Sequence, residues 1–225
     1  MGANAAVLEM IQEPEVLDEA LRRVLLRILQ EPERPQKKTY DEFLAWADED
    51  THAEWVDGEV IMSSPVGDRH QDICGFLASV LRAFVEARRL GIVRSGPFQM
   101  RLTYSGREPD LLFLANEHLE RRKETYLDGP ADLVVEILSP ESAARDRGEK
   151  FYEYEEAGIP EYWLIDPLRE EAEFYQLDNR GRYRLISTDA EGVYRSKAIP
   201  GFWLRAAWLW QPPAVLDALR ELGLL

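Results

Sequence analysis

Two acids stand where the surrounding residues make a charge expensive. Asp110 opens the run Asp110-Leu-Leu-Phe-Leu-Ala115, directly after Glu108-Pro109. Glu136 lies between Val135 and Ile137 in the run Asp132-Leu-Val-Val-Glu-Ile-Leu138. Both runs are short and almost wholly apolar, as expected of central strands buried on both faces. A carboxylate inside such a strand is costly unless it is paired or binds a metal. One such acid is ordinarily neutralised by an Arg or Lys. Two on consecutive strands, about 4.8 Å apart if adjacent, can share one divalent cation.

Lys150 is the third candidate, in Asp146-Arg-Gly-Glu-Lys150 on the helix expected after the Glu136 strand. From there its ammonium could reach the metal site, to orient or help deprotonate a water or to stabilise charge on a phosphate. Upstream, Glu59 and His70 are candidates for a further ligand, a water positioner or a substrate contact. Glu54 competes with Glu59, because both lie in the same hairpin. Gln99 and Arg101, on a strand expected to neighbour Asp110, could reach phosphate. For each of these residues the plain alternative is a structural or solvated side chain.

The elements that must position these groups can be read from patterning. Thr39-Tyr-Asp-Glu42 is a capping box that predicts a short helix from about Tyr40 to Ala47. Ala53 to Met62 reads as a hairpin turning at Asp57-Gly58, since that pair tolerates positive φ. Ile73, Leu77, Val80, Leu81, Phe84 and Val85 recur at helical spacing and predict a long helix over 68–89. Strands are expected over 91–93 and 98–104, with Ser105-Gly106 as a turn, and then over 110–115 and 132–138. A helix over 142–157, a strand over 161–166 and a hairpin over 173–186 complete the order. Residues 9–31 carry an apolar helical stripe, followed by the linker EPERPQKK. The division expected is an N-terminal helix and linker over 1–38, an α/β domain over 39–200, and an apolar tail with a short helix over 201–225.

Composition narrows the function classes. The absence of any uninterrupted apolar stretch long enough for a membrane span, the lack of a secretory signal, and a single cysteine, Cys74, fit a cytoplasmic protein without disulfides or cysteine-cluster zinc sites. There is no Gly-rich phosphate loop and no Ser-His-Asp arrangement, which disfavours nucleotide hydrolases and serine hydrolases. The net charge of −15 is unusual for a nucleic-acid binder. It is unevenly spread. From Arg69 to Arg107 seven arginines face two acids, a segment of net +5. A basic face on an acidic protein is compatible with that distribution.

Taken together, Glu54-Trp-Val-Asp-Gly-Glu59, His70, Pro109-Asp110, Val135-Glu-Ile-Leu-Ser-Pro140, Asp146, Lys150, Tyr154 and Gly158-Ile-Pro-Glu-Tyr-Trp-Leu-Ile-Asp166 resemble the bacterial putative restriction endonuclease domain family, within the PD-(D/E)XK nuclease superfamily, over about residues 39–187. The resemblance implies a restriction-endonuclease-like fold, a central mixed β-sheet flanked by helices. It further implies Mg2+-dependent hydrolysis of DNA phosphodiester bonds, with Mn2+ able to substitute. Asp110 matches the first acid of the motif and Glu136 the second. The residue two after Glu136 is Leu138 rather than lysine, and Lys150 is where this family carries that lysine. Members of the superfamily are often dimers, so a homodimer is expected, with the N-terminal helix and the tail aromatics as candidate contacts, although tail aromatics more often pack on their own domain. Two alternatives stay open: a non-catalytic member of the fold that binds nucleic acid or another partner, and a metal-dependent hydrolase of small phosphate esters.

Overall fold

The structure, a computed structural model, describes residues 37–48 and 51–225. The helical stripe expected over 9–31 lies outside the described residues.

Helix α1 (Tyr40–Trp46) begins as its capping box dictates. The Glu42 N–H donates to the Thr39 hydroxyl and the Glu42 carboxylate accepts from the Thr39 N–H. Strands β1 (Ala53–Val56) and β2 (Glu59–Met62) pair antiparallel around Asp57 and Gly58, both at positive φ. Helix α2 (Asp68–Arg88) buries Ile73, Phe76, Leu77, Val80, Leu81, Phe84 and Val85. At ~1.5–3 kcal/mol for each fully buried large apolar side chain, this face dominates the packing on its side of the domain.

The chain then lays down β3 (Gly91–Ser95), β4 (Gln99–Arg101), β5 (Ser105–Arg107) and β6 (Leu111–Ala115), a 3-10 turn over Asn116–Arg121, β7 (Tyr126–Asp128) and β8 (Leu133–Ile137). Helices α3 (Ala143–Arg147) and α4 (Glu149–Glu156) follow, then β9 (Glu161–Asp166), β10 (Glu171–Leu177), β11 (Tyr183–Leu185), β12 (Val193–Arg195), β13 (Trp203–Arg205) and helix α5 (Val215–Glu221).

These strands form a six-stranded sheet in the order β11-β10-β9-β8-β6-β3, a five-stranded sheet in the order β2-β1-β5-β4-β7, and the ribbon β12-β13. The larger sheet is mixed, because β8 and β9 run parallel while its other pairs are antiparallel. Strand alternation sends Leu133, Val135 and Ile137 into a cluster with α2. It sends Val134 into a second cluster with Leu112, Leu114, Tyr154, Tyr162 and Leu164 on the opposite face.

Three details depart from the expectations. Ser105 and Gly106 are not a turn but part of β5, and a Cβ on Gly106 would collide with the Tyr40 ring. β4 pairs with β5 and β7 in the smaller sheet, so Gln99 and Arg101 are not on a strand neighbouring Asp110. The single helix expected over 142–157 is broken at Gly148, whose ψ of −89° leaves the helical region. The tail, as is usual for such aromatics, packs on its own domain: Phe202, Leu204, Trp208, Leu209, Ala218, Leu219 and Leu222 join the α2 cluster.

Candidate active site

Register brings the two acids together. β6 and β8 are antiparallel neighbours with Leu111 opposite Val135, and one further step sets Asp110 opposite Glu136. Residues directly opposite in such a pair share a face. The Asp110 Oδ2 accepts from the Ile137 N–H at 2.7 Å, so its side chain lies against the end of β8. Its other oxygen, Oδ1, is 3.3 Å from His70 Nε2, which the first turn of α2 presents. The His70 imidazole is buried, and its Nδ1 has no hydrogen-bond partner among the described residues. The Asp110 side chain keeps 23% of its surface open to solvent, whereas Glu136 is buried. A cation entering here would meet Asp110 first.

Lys150, in the first turn of α4, turns inward. Its Nζ lies 2.9 Å from Glu136 Oε1, 2.9 Å from Glu54 Oε1 and 3.2 Å from Asp146 Oδ1. Tyr154, one helical turn on, donates its hydroxyl to the same Glu136 oxygen at 2.9 Å. Burial works against a charged lysine, but the Glu136, Glu54 and Asp146 carboxylates outweigh it and hold the ammonium above its ordinary value. The surrounding carboxylates therefore favour the charged ammonium.

Glu54 comes from β1, and Arg107 from β5 locks it. Arg107 is fully buried, with Nη1 donating to Glu54 Oε2 at 3.1 Å. Its other nitrogens donate to Glu153 at 2.8 and 2.6 Å and to Glu149 at 2.5 Å, tying α4 to the smaller sheet. Burial pushes the Glu54 carboxyl upward, yet Lys150 and Arg107 hold it below its usual value. Glu136 goes the other way: burial, together with the Asp146, Asp110 and Glu54 carboxylates, raises it well above the usual range against the pull of Lys150. Asp110, Glu136, Glu54 and Asp146 thus bring four acidic side chains to a cluster that holds Lys150 and Arg107.

Among the described residues no three His, Cys, Asp or Glu side chains are arranged to hold a metal by themselves. Mg2+, however, commonly takes one or two carboxylates and completes its shell with waters and substrate phosphate. Asp110 and Glu136, an accessible acid beside a buried one in a site rich in carboxyl groups, fit that mode.

The remaining sequence candidates separate. Gln99 donates to the Ala53 carbonyl at 2.7 Å and stands beside the Glu108 carboxyl, at the rim of the cluster. Arg101 does not join it: its guanidinium sits 5.0 Å from the Tyr40 ring centroid and 3.9 Å from Asp128. Glu59 does not join it either. It is exposed on the outer strand β2, where Lys37 is the cation it feels, and Glu54 occupies the place considered for it. Arg107 and Glu108 were missed. An arginine in a segment that reads as a turn gives no sign of burial. Glu108 gave one signal, its adjacency to Pro109-Asp110. Burial and the neighbouring Glu54 charge raise its carboxyl to about 7.

Residues 40–207 match the family described as "Uma2: Putative restriction endonuclease". No curated protein matches the chain significantly. Among solved structures, a putative nuclease belonging to DUF820 from Anabaena variabilis ATCC 29413 superposes with a TM-score of 0.64 at 19% identity, over 77% of this chain and 98% of that one. At that identity the likeness concerns the fold, which is restriction-endonuclease-like.

Proposed function

Because the chain belongs to the Uma2 family of putative restriction endonucleases, we propose that it is a Mg2+-dependent endonuclease that hydrolyses DNA phosphodiester bonds at the Asp110–Glu136 pair. The observation that carries this reading is the convergence of Asp110, just before β6, Glu136 of β8 and Lys150 of α4 on one face of one sheet.

When bound, a divalent cation supplies Lewis-acid stabilisation of the phosphate and a more acidic water. Asp110 and Glu136 are the residues that would hold it. Tyr154 and Lys150 fix the Glu136 carboxylate from one side, which leaves its orientation little freedom. The Glu136, Glu54 and Asp146 carboxylates favour the charged form of Lys150. Its part is to offset negative charge as the phosphate becomes pentavalent. Glu54 and Asp146 hold the ammonium, and Arg107 holds Glu54. His70 sits against Asp110 and orients it.

The test is incubation of DNA with Mg2+ or Mn2+ and the wild-type, Asp110→Ala and Glu136→Ala proteins. Cutting by the wild type alone supports the reading. Equal cutting by all three, or by none, overturns it. DNA binding without cutting favours the second reading, a non-catalytic member of the fold, for which the direct Lys150–Glu136 ion pair speaks. A homodimer, with one site per DNA strand, belongs to the same proposal, and sedimentation at two concentrations checks it.

A further inference from the structure

Four of the seven arginines between residues 69 and 107 are held in ion pairs. Arg69 pairs with Glu170, Arg82 with Glu86, Arg101 with Asp128, and Arg107 with three glutamates. Arg88 and Arg89, at the end of α2, are not so paired among the described residues, and neither is Arg94 on β3. The one hydrogen bond of its guanidinium goes to the neighbouring Val93 carbonyl, and among the described residues no carboxylate forms an ion pair with it. It lines an open cavity of about 440 Å³ with Phe98, Arg122, Lys123 and Glu124. Arg122 is exposed and likewise has no ion pair among the described residues. Three cations against one acid, over an aromatic floor, are concentrated here on a chain of net charge −15. Burial, and then the positive charges of Arg122 and Arg82, press down on the Arg94 guanidinium, so an anion placed between the arginines relieves a repulsion.

The cavity lies close to the carboxylates. Arg94 is opposite Leu112, and so shares a face with it. Leu112 belongs to the cluster on the Glu136 face of the sheet. Asp110 is two residues along from Leu112 and one strand over from β3, so its backbone lies roughly 8 Å from that of Arg94. DNA carries a phosphate about every 3.4 Å of helix axis along each strand. Phosphates next to the one being cut therefore fall within reach of the cavity.

We propose that the Arg94–Arg122 cavity seats the phosphate backbone of the nucleic acid flanking the scissile bond. This rests on the nuclease reading and extends it to the substrate track. Arg94 and Arg122 bind the phosphates, Lys123 adds long-range attraction, and Phe98 gives the apolar floor.

The experiment is fluorescence anisotropy of a short labelled DNA duplex in EDTA, so that nothing is cut, over a series of salt concentrations. The chains compared are wild type, Arg94→Ala, Arg122→Ala, the double variant, and Arg220→Ala as control, since Arg220 pairs with Asp217 on the remote helix α5. Each cavity arginine removed is expected to lower the slope of log affinity against log salt by about one, and the double variant by about two, with Arg220→Ala unchanged. Unaltered slopes in the cavity variants, or no DNA binding by the wild type, overturn the inference. So does displacement of the DNA by millimolar inorganic phosphate at constant ionic strength, which would make the cavity a free-anion site. The two claims fail separately. Cleavage with Mg2+ but unchanged slopes sinks only the cavity; arginine-dependent binding without cleavage sinks only the nuclease reading.

Discussion

Replacing Lys150 by methionine keeps most of the side-chain volume and removes the charge. In the wild type that charge faces three carboxylates at 2.9, 2.9 and 3.2 Å, all nearly excluded from water. Removing one partner of a buried ion pair costs roughly 3–5 kcal/mol, because the other charges are left buried and uncompensated. For a chain of this size that corresponds to a fall in Tm of about 6–20 °C. The pH dependence has a fixed sign. Without the ammonium, which pulls both downward in the wild type, the buried Glu54 and Glu136 carboxyls should hold protons more tightly folded than unfolded. Stability then falls as pH rises above the ordinary carboxylate range. The lysine itself adds nothing to this window: its folded value is raised, so its contribution is lost only above its unfolded value of 10.5. Urea denaturation at pH 5 and pH 8 should therefore show a larger gap between Lys150→Met and wild type at pH 8. Adding Glu136→Gln to the variant should restore part of the loss, since one stranded charge goes with it. A penalty under about 1 kcal/mol, or an equal one at both pH values, would mean that Lys150 is solvated, and the site as described would be wrong.

Three further outcomes are expected. Glu54→Gln leaves Lys150 and Arg107 short of a carboxylate and should cost roughly 3 kcal/mol and at least a tenfold loss of cleavage, while Glu59→Gln should change stability by less than about 0.5 kcal/mol; denaturation and a gel assay compare them. Gly91 has φ +155 and a Cβ there would strike the Leu114 carbonyl, so Gly91→Ala should destabilise the β3–β6 edge by about 3 kcal/mol, read as a lowered Tm. Glu108 is raised from 4.5 to about 7, so it binds more protons folded than unfolded between those values, and stability should fall as pH rises through them. Glu108→Gln should flatten that part of the profile in urea midpoints taken at pH 5, 6 and 7.

The parts legible in the sequence were those governed by local rules. The capping box at Thr39, the Asp57-Gly58 turn, the α2 periodicity and the apolar runs around Asp110 and Glu136 each depend on neighbours within a few residues, and each stands in the structure. What patterning could not reveal was pairing at long range. Gln99 and Arg101 looked like neighbours of Asp110 because they precede it closely, but after Ser95 the chain leaves the larger sheet and β4 joins another. Alternation along the β1–β2 hairpin left Glu54 and Glu59 as rivals. Only the partner of each strand separates them: β1 is inside its sheet, against β5 and Arg107, and β2 is at its edge. Lys150 was legible because its place on the helix after β8 limits where it can point. Arg107 was not, because its partners come from β1 and α4, some 40 to 50 residues away in either direction.

The most direct measurement of the central claim is a crystal soaked in Mn2+ and examined by anomalous scattering. The account predicts one strong peak with Asp110 and Glu136 oxygens as ligands at about 2.0–2.2 Å, and its loss in Asp110→Ala. A metal bound elsewhere, or no peak beside the two acids at saturating Mn2+, contradicts it.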